Sequence, residues 1–149
     1  MTNRPPMTIC LIDDDSIYQM ITTKMIEMVS PQQKVISFFN GQQAIDYFKV
    51  LSAPFQLPDI IFLDINMPIM DGWGFLEAFT ALDNIQNLVP VYMVSSSLNQ
   101  EDAIRSKSFE VVQDFIIKPM SKIKITEILN KALTLPQYAG HTRNAHLPN

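Results

Sequence analysis

Pro58-Asp-Ile-Ile-Phe-Leu-Asp64 is the stretch that decides the fold. Its apolar residues run without interruption and stop on a carboxylate. A strand solvated on one face would alternate apolar and polar residues. An unbroken run fits a strand buried on both faces, as in a parallel sheet covered by helices. The continuation Ile65-Asn-Met-Pro-Ile-Met-Asp-Gly72 then turns the chain through a proline and an Asp-Gly pair. Asp64 is thereby placed at the carboxyl end of a buried strand, where open α/β sheets bind their ligands.

Working outward, three more apolar runs stop on polar residues. Cys10-Leu-Ile leads into Asp13-Asp14-Asp15, Val91-Tyr-Met-Val into Ser95-Ser96, and Phe115-Ile-Ile into Lys118-Pro119. The full pattern alternates strands and helices. Strands are predicted over Met7–Ile12, Lys34–Phe39, Ile60–Leu63, Val91–Ser95 and Asp114–Ile117. Helices are predicted over Ser16–Met28, from Asn40-Gly41 through Leu51, Gly72–Leu82, Gln100–Ser108 and Lys122–Leu133. The first helix repeats Ile17, Met20, Ile21, Met25 and Met28, the second Ala44, Ile45, Phe48 and Leu51, and the fifth Ile125, Ile128, Leu129, Ala132 and Leu133. Ser16 and Gln19 have the spacing of a capping box, and Asp71 suits the cap of the third helix. Five such units make an α/β doubly wound parallel sheet flanked by five helices, with right-handed crossovers.

One domain is predicted over residues 7–134, with flexible ends at 1–6 and 135–149; a chain of 149 residues is long enough for a full core. The formal net charge is −4 and no Lys/Arg block stands out, which argues against a nucleic-acid partner. The single Cys10 allows no intramolecular disulfide and fits a reducing cytoplasm. No stretch reaches the ~18 apolar residues of a membrane span, and Met1–Pro6 lacks a signal peptide's apolar core. His141 and His146 lie in the polar tail and read as inert.

Acid pair, acid, hydroxyl and amine at neighbouring strand ends suit a divalent cation and a phosphoryl group carried on an aspartate. Each has a plainer reading alone: acids cap helices, a serine satisfies a strand end, a lysine solvates a surface, and Phe115 fills a core.

Taken together, these residues resemble the receiver domain of bacterial two-component response regulators over about residues 7–134. The resemblance implies the flavodoxin-like strand order 2-1-3-4-5. It also implies that Asp64 is the phosphoryl acceptor. Mg²⁺ would be held by Asp14, Asp64 and the Asn66 backbone carbonyl, with Asp13 acting through water. Ser95 takes the hydroxyl switch position, Phe115 the aromatic one, and Lys118, followed by Pro119, the phosphoryl-contacting lysine. The Lys118–Pro119 bond is expected to be cis. Val111-Val112 depart from the family's usual Gly-Ala, so the loop before strand 5 is expected to differ in shape. Ser96 stands where a small residue, often Ala, is usual, and leaves room for the phosphoryl group.

The function so implied is that of a stand-alone receiver, not a turnover enzyme. Its partners would be a histidine kinase or histidine phosphotransfer protein and a downstream protein bound through the face of helix 4, strand 5 and helix 5. A phosphorelay shuttle keeps the same chemistry. A Mg²⁺-dependent phosphohydrolase is disfavoured, because Asn66 stands where such enzymes carry a second, proton-shuttling Asp. A degenerate binding module would not need the complete polar set.

Overall fold

The computed structural model describes residues 6–51, 56–82, 89–97 and 99–134. The expected flexible termini, the loop proline Pro54 and both histidines lie outside these residues or, for the first terminus, almost entirely so. Ten elements alternate in order: β1 Thr8–Ile12, α1 Ser16–Val29, β2 Lys34–Phe38, α2 Gly41–Lys49, β3 Ile60–Asp64, α3 Gly72–Thr80, β4 Val91–Ser95, α4 Gln100–Ser106, β5 Val112–Ile117 and α5 Lys122–Leu133. The five strands form one parallel sheet in the order β2-β1-β3-β4-β5. This is the flavodoxin-like strand order that the resemblance implies.

Alternation along each strand divides two cores. Cys10, Ile12, Ile61, Leu63, Val91 and Met93 face α2 and α3, where they meet Ala44, Ile45, Phe48, Phe75, Leu76 and Phe79. Ile9, Leu11, Ile60, Phe62, Tyr92, Val94 and Ile116 face the other way, against Ile26 of α1 and Ile125, Ile128 and Leu129 of α5. β3 and β4 are buried throughout, as their unbroken apolar runs require. β5 does not follow the expectation of a strand buried on both faces. It is the sheet's edge, and Gln113, Asp114 and Ile117 are exposed.

One expectation for α1, the capping box at its start, is corrected. Its N-cap is Asp15, whose carboxylate accepts the amides of Ile17 and Tyr18 at 3.0 Å, so Ser16 and Gln19 form no capping box. The Gln19 side chain instead donates to the backbone carbonyls of Asp13 (2.8 Å) and Phe38 (2.7 Å). The face turned to the sheet therefore carries Gln19, Thr22 and Ile26, while Ile17, Met20, Ile21 and Met28 are exposed and Met25 is only partly buried. The physical reason lies at the carboxyl ends of β1 and β2, whose carbonyls at Asp13 and Phe38 draw a donor that an aliphatic side chain cannot give. The other caps agree with the sequence reading where one was made: Asp71 accepts the Gly74 amide at 2.8 Å, and Asn40 accepts that of Gln43 at 2.9 Å.

Candidate functional site

The register brings the polar strand ends to one edge. β1 and β3 pair through Ile12 and Leu63, so Asp13 and Asp64 both follow immediately. β4 and β5 pair through Ser95 and Ile117, and the Lys118 amide then donates to the Ser95 carbonyl at 2.7 Å. The Lys118–Pro119 bond is cis, as expected. Asp64 is held from behind by α3. The Gly72 amide donates to the Ile65 carbonyl at 2.8 Å, and a Cβ at position 72 would sit 2.5 Å from the Asp64 carbonyl oxygen. Only glycine permits that approach.

Three carboxylates converge. Asp13, Asp14 and Asp64 offer ligand atoms all within 4.8 Å of one another. Two unit negative charges at that separation cost about 3 kcal/mol at an effective dielectric of about 20. Asp13 is 4% exposed and Asp64 7%, whereas Asp14 is exposed. Among the described residues the Lys118 ammonium supplies the nearest positive charge, 2.7 Å from Asp13 Oδ2 and 3.6 Å from Asp64 Oδ1. Asp13 also accepts the Asp15 amide at 2.9 Å.

The charges do not balance. Burial, then repulsion from Asp13, pushes Asp64 up from the ordinary 3.8 to about 6, although Lys118 pulls the other way. Burial lowers the Lys118 amine, but the Asp13 hydrogen bond and the charges of Asp64 and Asp13 outweigh it, and the net shift is upward. A partly buried carboxylate cluster with surplus negative charge and only oxygen donors fits a hard divalent cation such as Mg²⁺.

The remaining residues fall around this centre. Ser95 is buried, with its hydroxyl accepting the Ser97 amide at 3.3 Å, and Ser96 is exposed beside it. Asn66 is exposed two residues beyond Asp64. Phe115 is partly buried against the core on the α2–α3 side. Val111 is buried in that core, and the β4–β5 register shifts between Val91 and Tyr92. The sequence reading missed Tyr18. Its ring centroid lies 4.4 Å from the Lys118 nitrogen, and it shares a small cavity with Asp13 and Asp64. Nothing in a helical position three residues past the cap marks it beforehand. Gln19 was also misassigned; its spacing to Thr22 and Ile26 was the available signal.

The sequence model of the family described as "Response regulator receiver domain" matches residues 9–130. The chain belongs to that family. This receiver is 28% identical over 123 residues to the chemotaxis protein CheY of Bacillus subtilis, covering 83% of this chain and 95% of that protein. It is 29% identical over 119 residues to a protein-glutamate methylesterase/protein-glutamine glutaminase of Halalkalibacterium halodurans, covering 78% of this chain but only 32% of that enzyme. The crystal structure of a two-component response regulator from Cytophaga hutchinsonii superposes with a TM-score of 0.79 at 29% identity, covering 87% of this chain and 99% of that one. The receiver is therefore a component of two-component signalling. No helix of the described residues is long and apolar enough to cross a membrane.

Proposed function

We propose that Asp64 accepts a phosphoryl group from a phosphohistidine of a histidine kinase or histidine phosphotransfer protein. The observation that carries this is the convergence of Asp13, Asp14 and Asp64 beside Lys118 at one sheet edge. A carboxylate oxygen of Asp64 attacks phosphorus. The O–P bond forms as the N–P bond breaks, and the electron pair leaves with the imidazole nitrogen. Lys118 needs only a small shift to meet the oxygens of the arriving group, and Ser95 offers a hydroxyl on the neighbouring strand. Asp14, Asp64, the Asn66 carbonyl and, through water, Asp13 would hold Mg²⁺, which supplies neutralising positive charge when bound.

The modified residue gains roughly −1.5 to −2 charge if it resembles other phosphorylated side chains. That charge competes for Lys118, which now pairs with Asp13, and Ser95 and Phe115 rearrange with it. The change reaches the surface of α4, β5 and α5, where a downstream protein binds. Ile104, Ile117 and Ile123 are exposed there, and Lys124 of α5 pairs with Asp114 of β5 at 3.0 Å. The domain core is residues 7–134, working in the cytoplasm, and its only reaction is on itself.

Incubation with phosphoramidate and Mg²⁺, followed by intact mass, tests the reading. The wild-type chain gains one phosphoryl group and Asp64→Asn gains none. Equal labelling of both would overturn it.

A further inference from the structure

Tyr18 packs its ring face against Lys118, the one amine that serves the acidic cluster among the described residues. The Lys118 nitrogen lies 4.4 Å from the ring centroid while it also reaches Asp13 at 2.7 Å and Asp64 at 3.6 Å. The ring is itself fixed. Its backbone amide is held by the Asp15 cap at 3.0 Å, and the side chain packs with the core on the α1–α5 side. Its hydroxyl is enclosed near Thr22 and the Met120 backbone. A buried tyrosine usually finds a partner for that hydroxyl. Here the ring, not the hydroxyl, makes the contact with a charged group.

We propose that Tyr18 is a positioning residue for Lys118. Resting on the assignment of Asp64 as acceptor, it deepens that reading. The carboxylates compete for the ammonium, and a phosphoryl group on Asp64 adds another competitor. Each of those partners changes during the reaction, since Asp64 alters its charge and Asp13 exchanges its contact. The ring face does not change. It is an attractive surface, worth more where water is partly excluded, that keeps the amine at the mouth of the site whichever oxygen it meets. An aliphatic side chain at position 18 would fill the space but supply no such surface, and Lys118 would follow Asp13 alone.

The reaction to be followed is transfer from phosphoramidate. Asp64 forms the O–P bond, the N–P bond breaks, and nitrogen keeps the electron pair and leaves as ammonia after taking a proton from water. Rates are measured for wild type, Tyr18→Phe, Tyr18→Leu, Lys118→Met and the double variant Tyr18→Leu/Lys118→Met. The expected result is a loss of about tenfold for Tyr18→Leu, the size of a partly desolvated cation–π contact, and near wild-type rates for Tyr18→Phe. The double variant should be no slower than Lys118→Met, because the tyrosine acts only through the lysine. Independently of phosphorylation, the Lys118 Hε resonances should be shifted upfield by the ring in wild type and Tyr18→Phe and not in Tyr18→Leu.

Additive losses in the double variant would overturn the proposal, as would Tyr18→Phe behaving like Tyr18→Leu or Hε shifts unchanged by Tyr18→Leu. Failure of the wild type to be labelled, with the Hε shifts as expected, would remove the acceptor assignment while keeping the contact.

Discussion

Lys118 makes its short ion pair with Asp13, at 2.7 Å, and stands farther, at 3.6 Å, from Asp64. The amine is thus held next to the strand-end acid that would be modified, not on it. Both acids are buried and the Lys118 side chain is 15% exposed, so the pair is shielded from water. Breaking such a pair from one side leaves a charge stranded. Lys118→Met should destabilise the metal-free protein by about 3 kcal/mol, toward the low end for buried pairs because Asp64 can take up a proton. Urea unfolding in EDTA measures this; unchanged stability would show that the pair is solvent-screened.

Asp64 sets a pH dependence of definite sign. Its folded-state value lies near 6 against an ordinary 3.8, so folding favours the protonated acid. That contribution to stability is complete below about pH 3.8 and is lost as pH rises through about 6. Asp64→Asn has no proton to lose. Without metal it should exceed wild type by about 2–3 kcal/mol at pH 7.5, with the gap closing near pH 4. Urea midpoints across that range decide, and parallel curves for the two proteins would contradict the account.

The turn after Asp64 yields two substitutions of opposite sign. Ile69 has a positive φ of 70°, is 81% exposed, and lies within a turn closed by the Met70 amide on the Pro68 carbonyl at 2.7 Å. A β-branched residue is strained there, so Ile69→Gly should stabilise the fold by about 1 kcal/mol. Gly72→Ala should instead cost about 3 kcal/mol or more, because the new methyl meets backbone at 2.5 Å and nothing flexible can yield. Thermal unfolding of both variants is the check.

Much of this was legible in the sequence. Unbroken apolar runs ending in Asp13, Asp64 and Ser95 marked buried parallel strands, and with the run ending in Lys118 they marked the polar edge. What escaped depends on the partner each residue meets. Helical spacing of Ile17, Met20, Ile21 and Met28 defines an apolar stripe but not which way it turns. The strand-end carbonyls of Asp13 and Phe38 turned it outward by drawing Gln19 in. The exposure of β5 follows from its place at the sheet edge, which a local pattern does not encode. The contact of Tyr18 with Lys118 joins residues 100 positions apart and leaves no local mark.

Mg²⁺ should bind the unmodified protein weakly, since protein groups supply few of its six ligands and water the rest. Asp14 is the exposed member of the cluster and the one without Lys118 as an ion-pair partner among the described residues. Asp14→Ala should remove most of the binding heat in calorimetry. Calorimetry is the suitable readout, because Trp73 is buried against Phe109 and beneath Arg105, whose guanidinium carbon lies 4.5 Å from its ring centroid. Equal affinity in the variant would exclude Asp14 as a ligand.

The central claim is that the acceptor is one particular carboxylate, and chemical trapping tests it most directly. After phosphoramidate and Mg²⁺ treatment, borohydride reduces an acyl phosphate to the alcohol, turning the modified aspartate into homoserine. Tandem mass spectrometry of the digested chain should place homoserine at position 64 alone. Homoserine at position 13 or 14, or a phosphoryl group that survives borohydride on Ser95 or Ser96, would contradict the account.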